Sequence, residues 1–113
     1  MPETNERVTR TVELDVTLPV AEPVGRVEVR RIRMLAGTPA GAHVHNGPVF
    51  GTILSGRVRY AFAGGAESIL GPGDVFYEPQ DVRIDHFDAL EDAVEFIGVF
   101  PLQPGQDAAM SPA

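Results

Sequence analysis

The chain has 113 residues, of which 43% are hydrophobic, and its nine Lys and Arg against sixteen Asp and Glu give a formal net charge of -7. That length suits one domain with a modest core. No apolar run approaches the roughly 20 residues that span a bilayer, and the negative charge repels a phosphate backbone, so neither membrane nor nucleic acid is an expected partner. With no cysteine in the chain, disulfides, thiolate metal sites and cysteine nucleophiles drop out.

In chain order, the first residues, MPETNERVTR, are charged and have no hydrophobic stretch behind them. A secretory signal needs such a stretch, so a soluble, cytoplasmic protein is the expectation. Residues 1–7 read as a loose end, and Val8 to Val16 as an exposed N-terminal strand. Apolar and polar residues alternate through Val12-Glu13-Leu14-Asp15-Val16, Val27-Glu28-Val29, Val58-Arg59-Tyr60-Ala61-Phe62 and Val94-Glu95-Phe96. A period of two belongs to half-buried strands. Turn formers separate these runs: Pro19, Pro23, Gly37, Pro39, Gly41, Asn46-Gly47-Pro48, Gly56, Gly64-Gly65 and Gly71-Pro72-Gly73-Asp74, the last closed by Asp74. The 12 Gly and 10 Pro leave no stretch with the length and period of a helix. Many short strands at near-regular spacing predict an all-β barrel or sandwich. Residues 103–113 read as a second loose end, and no repeat marks a second domain, so residues 1–113 form a single domain with its core at about 27–100.

Of three histidines, two stand one residue apart as His43-Val44-His45. On one strand both point to the same face. On the inner wall of a small barrel, two imidazoles so placed can grip one metal ion. Gly37, five residues, His43, one residue, His45, three residues, Val49, six residues and Gly56 is similar to the first motif of the cupin superfamily. Gly73-Asp74, with four residues before Pro79, resembles the second motif. The resemblance runs from about Val27 to Phe100. It implies a double-stranded antiparallel β-barrel, cupin or jelly-roll-like, that forms a homodimer and carries a divalent metal in its mouth. The metal of such proteins is held by two histidines and a glutamate of the first motif and a histidine of the second.

The chain departs from that pattern twice. Val49 stands in the glutamate slot, and the second-motif histidine slot, five positions after Pro79, holds Ile84, with His86 two residues later. Either Ile84 is the true equivalent and the site is weakened, or an insertion in Gln80-Asp81-Val82-Arg83 swings His86 into place. Parity does not separate the two, because residues 84 and 86 of a regular strand face one side; displacement does, being ~6.6 Å. With all three histidines inside the motifs, the expected ligand set is His43, His45 and His86 around Fe, Mn, Ni, Cu or Zn. Three neutral imidazoles leave a divalent ion its full charge and open positions, favouring an anionic or chelating small-molecule substrate.

Glu78 is the acid nearest the second motif and the candidate base in place of the missing glutamate. Tyr60 is the candidate lumen hydroxyl, its alternative being a core aromatic; the same choice holds for Tyr77. Arg30, Arg31, Arg33, Arg57 and Arg59 either grip a substrate carboxylate or are solvated strand charges. The leading functional expectation is a metal-dependent enzyme on a small enolisable or phenolic substrate, performing dioxygenase-type C–C cleavage or oxygen insertion. The alternatives are a redox-neutral lyase or isomerase, and a non-catalytic barrel that binds a small molecule in a decayed metal slot.

Overall fold

A computed structural model describes residues 3–4 and 7–113 of the chain. Its strands are β1 (Glu3–Thr4), β2 (Thr9–Arg10), β3 (Arg26–Met34), β4 (His43–His45), β5 (Val49–Ser55), β6 (Val58–Phe62), β7 (Ser68–Leu70), β8 (Val75–Glu78), β9 (Ile84–Ala89), β10 (Val94–Leu102) and β11 (Met110–Pro112). No helix occurs among the described residues. One antiparallel sheet runs β3-β10-β5-β8 and the other β11-β4-β9-β6-β7, with β1 and β2 forming a separate two-stranded ribbon.

The alternating sequence patterns appear as alternating burial. In β6, Val58 and Tyr60 point inward, and in β10, Val94 and Phe96 do. The core lies between the sheets: Val49, Ile53, Phe76, Val94 and Phe96 come from the four-stranded sheet and meet Val58, Tyr60, Ile84, Phe87 and Ala89 from the five-stranded one. Phe87 bridges the layers, its ring centroid 5.2 Å from Phe76 and 4.9 Å from Phe96. Such ring pairs add about 0.5–1.5 kcal/mol each beyond the area they bury.

The expected barrel is thus a pair of facing antiparallel sheets, jelly-roll-like, with no ladder joining their edges among the described strands. The turn signals hold. Gly56, between β5 and β6, has φ +79°, and a Cβ there would sit 2.4 Å from the Ala93 carbonyl oxygen, so only glycine fits this corner. At the Gly71–Asp74 turn, the Gly71 N–H donates to Asp74 Oδ2 (2.7 Å) and the Asp74 N–H to the Gly71 carbonyl (3.0 Å).

Two expectations about the ends are corrected. Of the predicted strand Val8 to Val16, only Thr9–Arg10 takes strand form, in the ribbon with β1, and Val12, Leu14, Leu18 and Val20 stay exposed, so the alternation of apolar and polar residues there does not mark a half-buried strand. The segment 103–113, expected to be loose, returns to the five-stranded sheet and adds β11 to β4, in register Met110↔His45, Ser111↔Val44 and Pro112↔His43. Its Pro and polar residues mask the strand signal, and backbone pairing supplies what side-chain burial does not.

Candidate metal centre

β4 and β8 lie on different sheets, and their inward side chains converge. His43 and Glu78 are buried, and the His45 side chain is 12% exposed. The His43 Nδ1–H donates to the Gly41 carbonyl at 2.7 Å, and since a carbonyl only accepts, Nε2 is the nitrogen left to face inward. Gly41 has φ +80°, a backbone state few other residues reach, and it is this state that accompanies the carbonyl's approach to the ring. The two imidazoles meet edge-on, with centroids 4.8 Å apart and planes at 84°. Glu78 Oε1 lies 2.6 Å from His45 Nε2 and 3.6 Å from His43 Nε2.

One donor atom from each of His43, His45 and Glu78 lies within 4.8 Å of the other two. Metal bonds of about 2.1 Å at tetrahedral or octahedral angles place donors roughly 3 to 3.5 Å apart, a spacing the 2.6 and 3.6 Å separations bracket. The donor set therefore fits a divalent ion. Burial pushes the Glu78 carboxyl up, but its contacts with His43 and His45 outweigh burial and hold it below the ordinary carboxylate range. The same carboxylate holds the His43 imidazole above its ordinary value against the opposing effect of burial. The carboxylate is thus already ionised, as a ligand must be.

Beside these groups opens a cavity of about 320 Å³. Ile32, Met34, Phe76, Phe96 and Phe100 make its walls largely apolar, and Arg30 is the cation on its lining. The Arg30 guanidinium lies 5.0 Å from the Phe100 ring centroid and is hydrogen-bonded to Glu28.

His86 does not join the cluster. In the β6–β9 ladder Ala61 pairs with His86 but Phe62 pairs with Ile84, so Asp85 is an extra residue and the strand is bulged. A bulge breaks the rule that residues two apart share a face. Ile84, Phe87 and Ala89 point inward, whereas His86, 34% exposed at its side chain, bonds through Nδ1 to Asp88 at 2.8 Å. Ile84 stands directly opposite His43, fully buried, in the place the second-motif histidine was expected to hold.

Tyr60 is also not on the cavity lining. It packs with Phe62, Phe76 and Phe87, and its hydroxyl donates to the Tyr77 carbonyl at 2.9 Å; burial pushes the phenol pKa up, further from any acid–base role. Tyr77 stacks on Phe50. Arg31, Arg57 and Arg59 face outward in ion pairs with Glu95, Glu91 and Glu67. Glu78 was legible as an unusual acid before Pro79, but its place beside the histidines needed the β5–β8 register, in which it stands opposite Val49.

The sequence profile of the Cupin domain matches residues 30–100, well over half of the chain. The chain belongs to the cupin family. Among solved structures, a cupin-like protein from Thermotoga maritima is 23% identical with a TM-score of 0.65, covering 77% of this cupin and 65% of its own chain. A DMSP lyase from Ruegeria pomeroyi is 18% identical with a TM-score of 0.64, over 74% of this chain and 42% of the lyase. Oxalate decarboxylase from Bacillus subtilis is 22% identical with a TM-score of 0.64, over 76% of this chain and 23% of the decarboxylase, a protein with Mn(II) centres. At these identities the likeness shows a shared fold, and this cupin spans less than half the length of the lyase and decarboxylase chains. No curated protein matches it in sequence.

Proposed function

We propose that this cupin is a metal-dependent enzyme acting on a small, chelating, anionic substrate, with His43, His45 and Glu78 holding one first-row divalent ion. The observation that supports it is the convergence of two imidazoles and a buried carboxylate beside a cavity of about 320 Å³. Two histidines and one carboxylate with open positions are the donor set of non-haem Fe(II) oxygenases, which favours oxygen insertion or C–C cleavage of an enolisable or phenolic compound. A bound ion of this kind supplies Lewis acidity and, where redox-active, one-electron chemistry.

The chain's own residues prepare the site. Gly41 fixes the tautomer of His43, so its Nε2 lone pair faces the donor cluster. Glu78 brings one negative charge and thereby takes the part the family's pattern gives to the residue at Val49. The apolar walls exclude water and strengthen electrostatic contacts within the cavity. Arg30 sits where it meets the anionic end of a ligand whose body lies against Phe96 and Phe100.

A redox-neutral lyase or isomerase reading rests on the same donors. We propose in addition that the protein is a homodimer, since β3 is a sheet edge with Val27 and Val29 exposed.

The test is metal content by mass spectrometry after purification without chelator. One equivalent is expected in the wild type and in His86→Ala, and far less in His43→Ala, His45→Ala and Glu78→Gln. No metal in the wild type after reconstitution with iron, manganese, nickel, copper and zinc would refute the reading. Oxygen uptake with enolisable diketones then separates the oxygenase from the lyase, because only the former consumes dioxygen.

A further inference from the structure

β4, the strand that carries both histidines, is weakly tied to its own sheet. Its ladder with β9 is the one pair His43↔Ile84, whereas β11 pairs with all three of its residues. The segment 103–113 is therefore the main support of the histidine strand. Asn46, next to His45, joins that segment through every polar group it has. Its backbone N–H donates to the Ala109 carbonyl (3.1 Å) and its carbonyl accepts from Gln106 Nε2 (3.1 Å). Its side-chain Nδ2 donates to the Asp107 carbonyl (2.9 Å) and its Oδ1 accepts from the Ala109 N–H (3.0 Å). Arg26 adds a second attachment, donating to the Gln106 carbonyl at 2.9 Å.

The same segment forms part of the cavity lining through Ala108, Ala109 and Met110. Yet β11 is exposed throughout, and Met110 is 55% exposed, so little buried apolar area holds it down. A segment kept in place by exposed backbone bonds and few apolar contacts opens at lower free energy than the core.

We infer that Asn46 is a positioning residue of the metal centre: it clasps segment 103–113 against β4 as a strap that closes one side of the cavity and holds His43 and His45 in their ligating arrangement. A short polar side chain placed to satisfy both a carbonyl and an N–H of the strap does what a longer ladder would do, and it does so one residue from a ligand. The strap governs both access to the cavity and the rate at which a bound ion escapes. This deepens the metal reading and rests on it for the second consequence.

The wild type, Asn46→Ala, Asn46→Asp, a variant ending at Gln106 and the double variant are loaded with Co²⁺ and chased with excess chelator, following the visible d–d bands. Asn46→Ala and the shortened variant are expected to release Co²⁺ at least about 10-fold faster, the scale of effect of groups that orient ligands. Asn46→Asp, which keeps the acceptor for the Ala109 N–H, should fall between them and the wild type. Because Asn46 acts through the strap, adding Asn46→Ala to the shortened variant should change nothing further. Unchanged release from the shortened variant, or a further acceleration by Asn46→Ala in it, would overturn the inference.

Amide exchange in metal-free wild type and Asn46→Ala gives a readout independent of the ion. All backbone partners remain in that variant, so faster exchange at position 46 and at Ala113, whose N–H donates to the Ala42 carbonyl, reports undocking of the strap. Unchanged exchange at both positions refutes the clasp even if the protein binds metal, and faster exchange sustains it even if Co²⁺ does not bind.

Discussion

Val49 and Glu78 stand opposite each other on β5 and β8, both buried, so the carboxylate absent from one strand is present on the next. Cβ atoms of directly opposed residues in an antiparallel pair are about 4.5–5.5 Å apart, and one glutamate side chain spans that offset. The site keeps its two histidines and a carboxylate while changing which strand supplies it.

An exchange of the pair tests this. Glu78→Val should lower metal affinity by at least about 100-fold, since even groups that only orient a ligand contribute about 10–100-fold. Val49→Glu combined with Glu78→Val should recover most of that loss, read by titration of the metal-free protein with Mn²⁺. A double variant as weak as Glu78→Val would show that the carboxylate works only from β8.

The strands, the turns and the histidine pair were legible because each has a local signature: period two, glycine at a required φ, and two imidazoles on one face. The third member of the donor cluster was not legible. Its placement depended on a bulge at Asp85, which turns His86 outward, and on the register that sets Glu78 against Val49. Neither a one-residue insertion in a ladder nor a pairing between strands 29 residues apart leaves a mark in the local pattern. The strap at 103–113 was missed for a similar reason, since its order comes from Asn46 and Arg26 rather than from its own composition.

Tyr60 separates a core role from a site role. Its hydroxyl donates to the Tyr77 carbonyl within the aromatic cluster. Tyr60→Phe leaves that carbonyl without its donor and should cost about 1–2 kcal/mol in a urea titration, with metal content unchanged. Loss of metal without loss of stability would return Tyr60 to the site.

The proposed homodimer places a second copy along the open edge of β3. Val27 and Val29 are 53% and 65% exposed there, and the N-terminal segment exposes Val12 and Val20 at 72% and 60%. Light scattering should give twice the mass of the chain, and Val29→Lys should shift the protein toward the single-chain mass. A single-chain mass for the wild type at micromolar concentration would refute the dimer.

The coupling of Glu78 to His43 predicts a stability maximum for the metal-free protein. Glu78 is held below its ordinary value of 4.5, so its contribution is present above that pH and is lost as pH falls through the lower folded value. His43 is held above its ordinary value of 6.5, so its contribution is complete below that pH and is lost as pH rises through the higher folded value. The urea midpoint should therefore be highest between about pH 4.5 and 6.5 and decline on both sides. Glu78→Gln removes the carboxyl group that titrates in the acid limb and the partner that raises His43, and should flatten both limbs. On the proposed metal reading the ion has to displace the proton on His43, so affinity should rise with pH through the His43 transition and then level off. A Mn²⁺ affinity independent of pH across that transition would show that His43 Nε2 is not among the ligands.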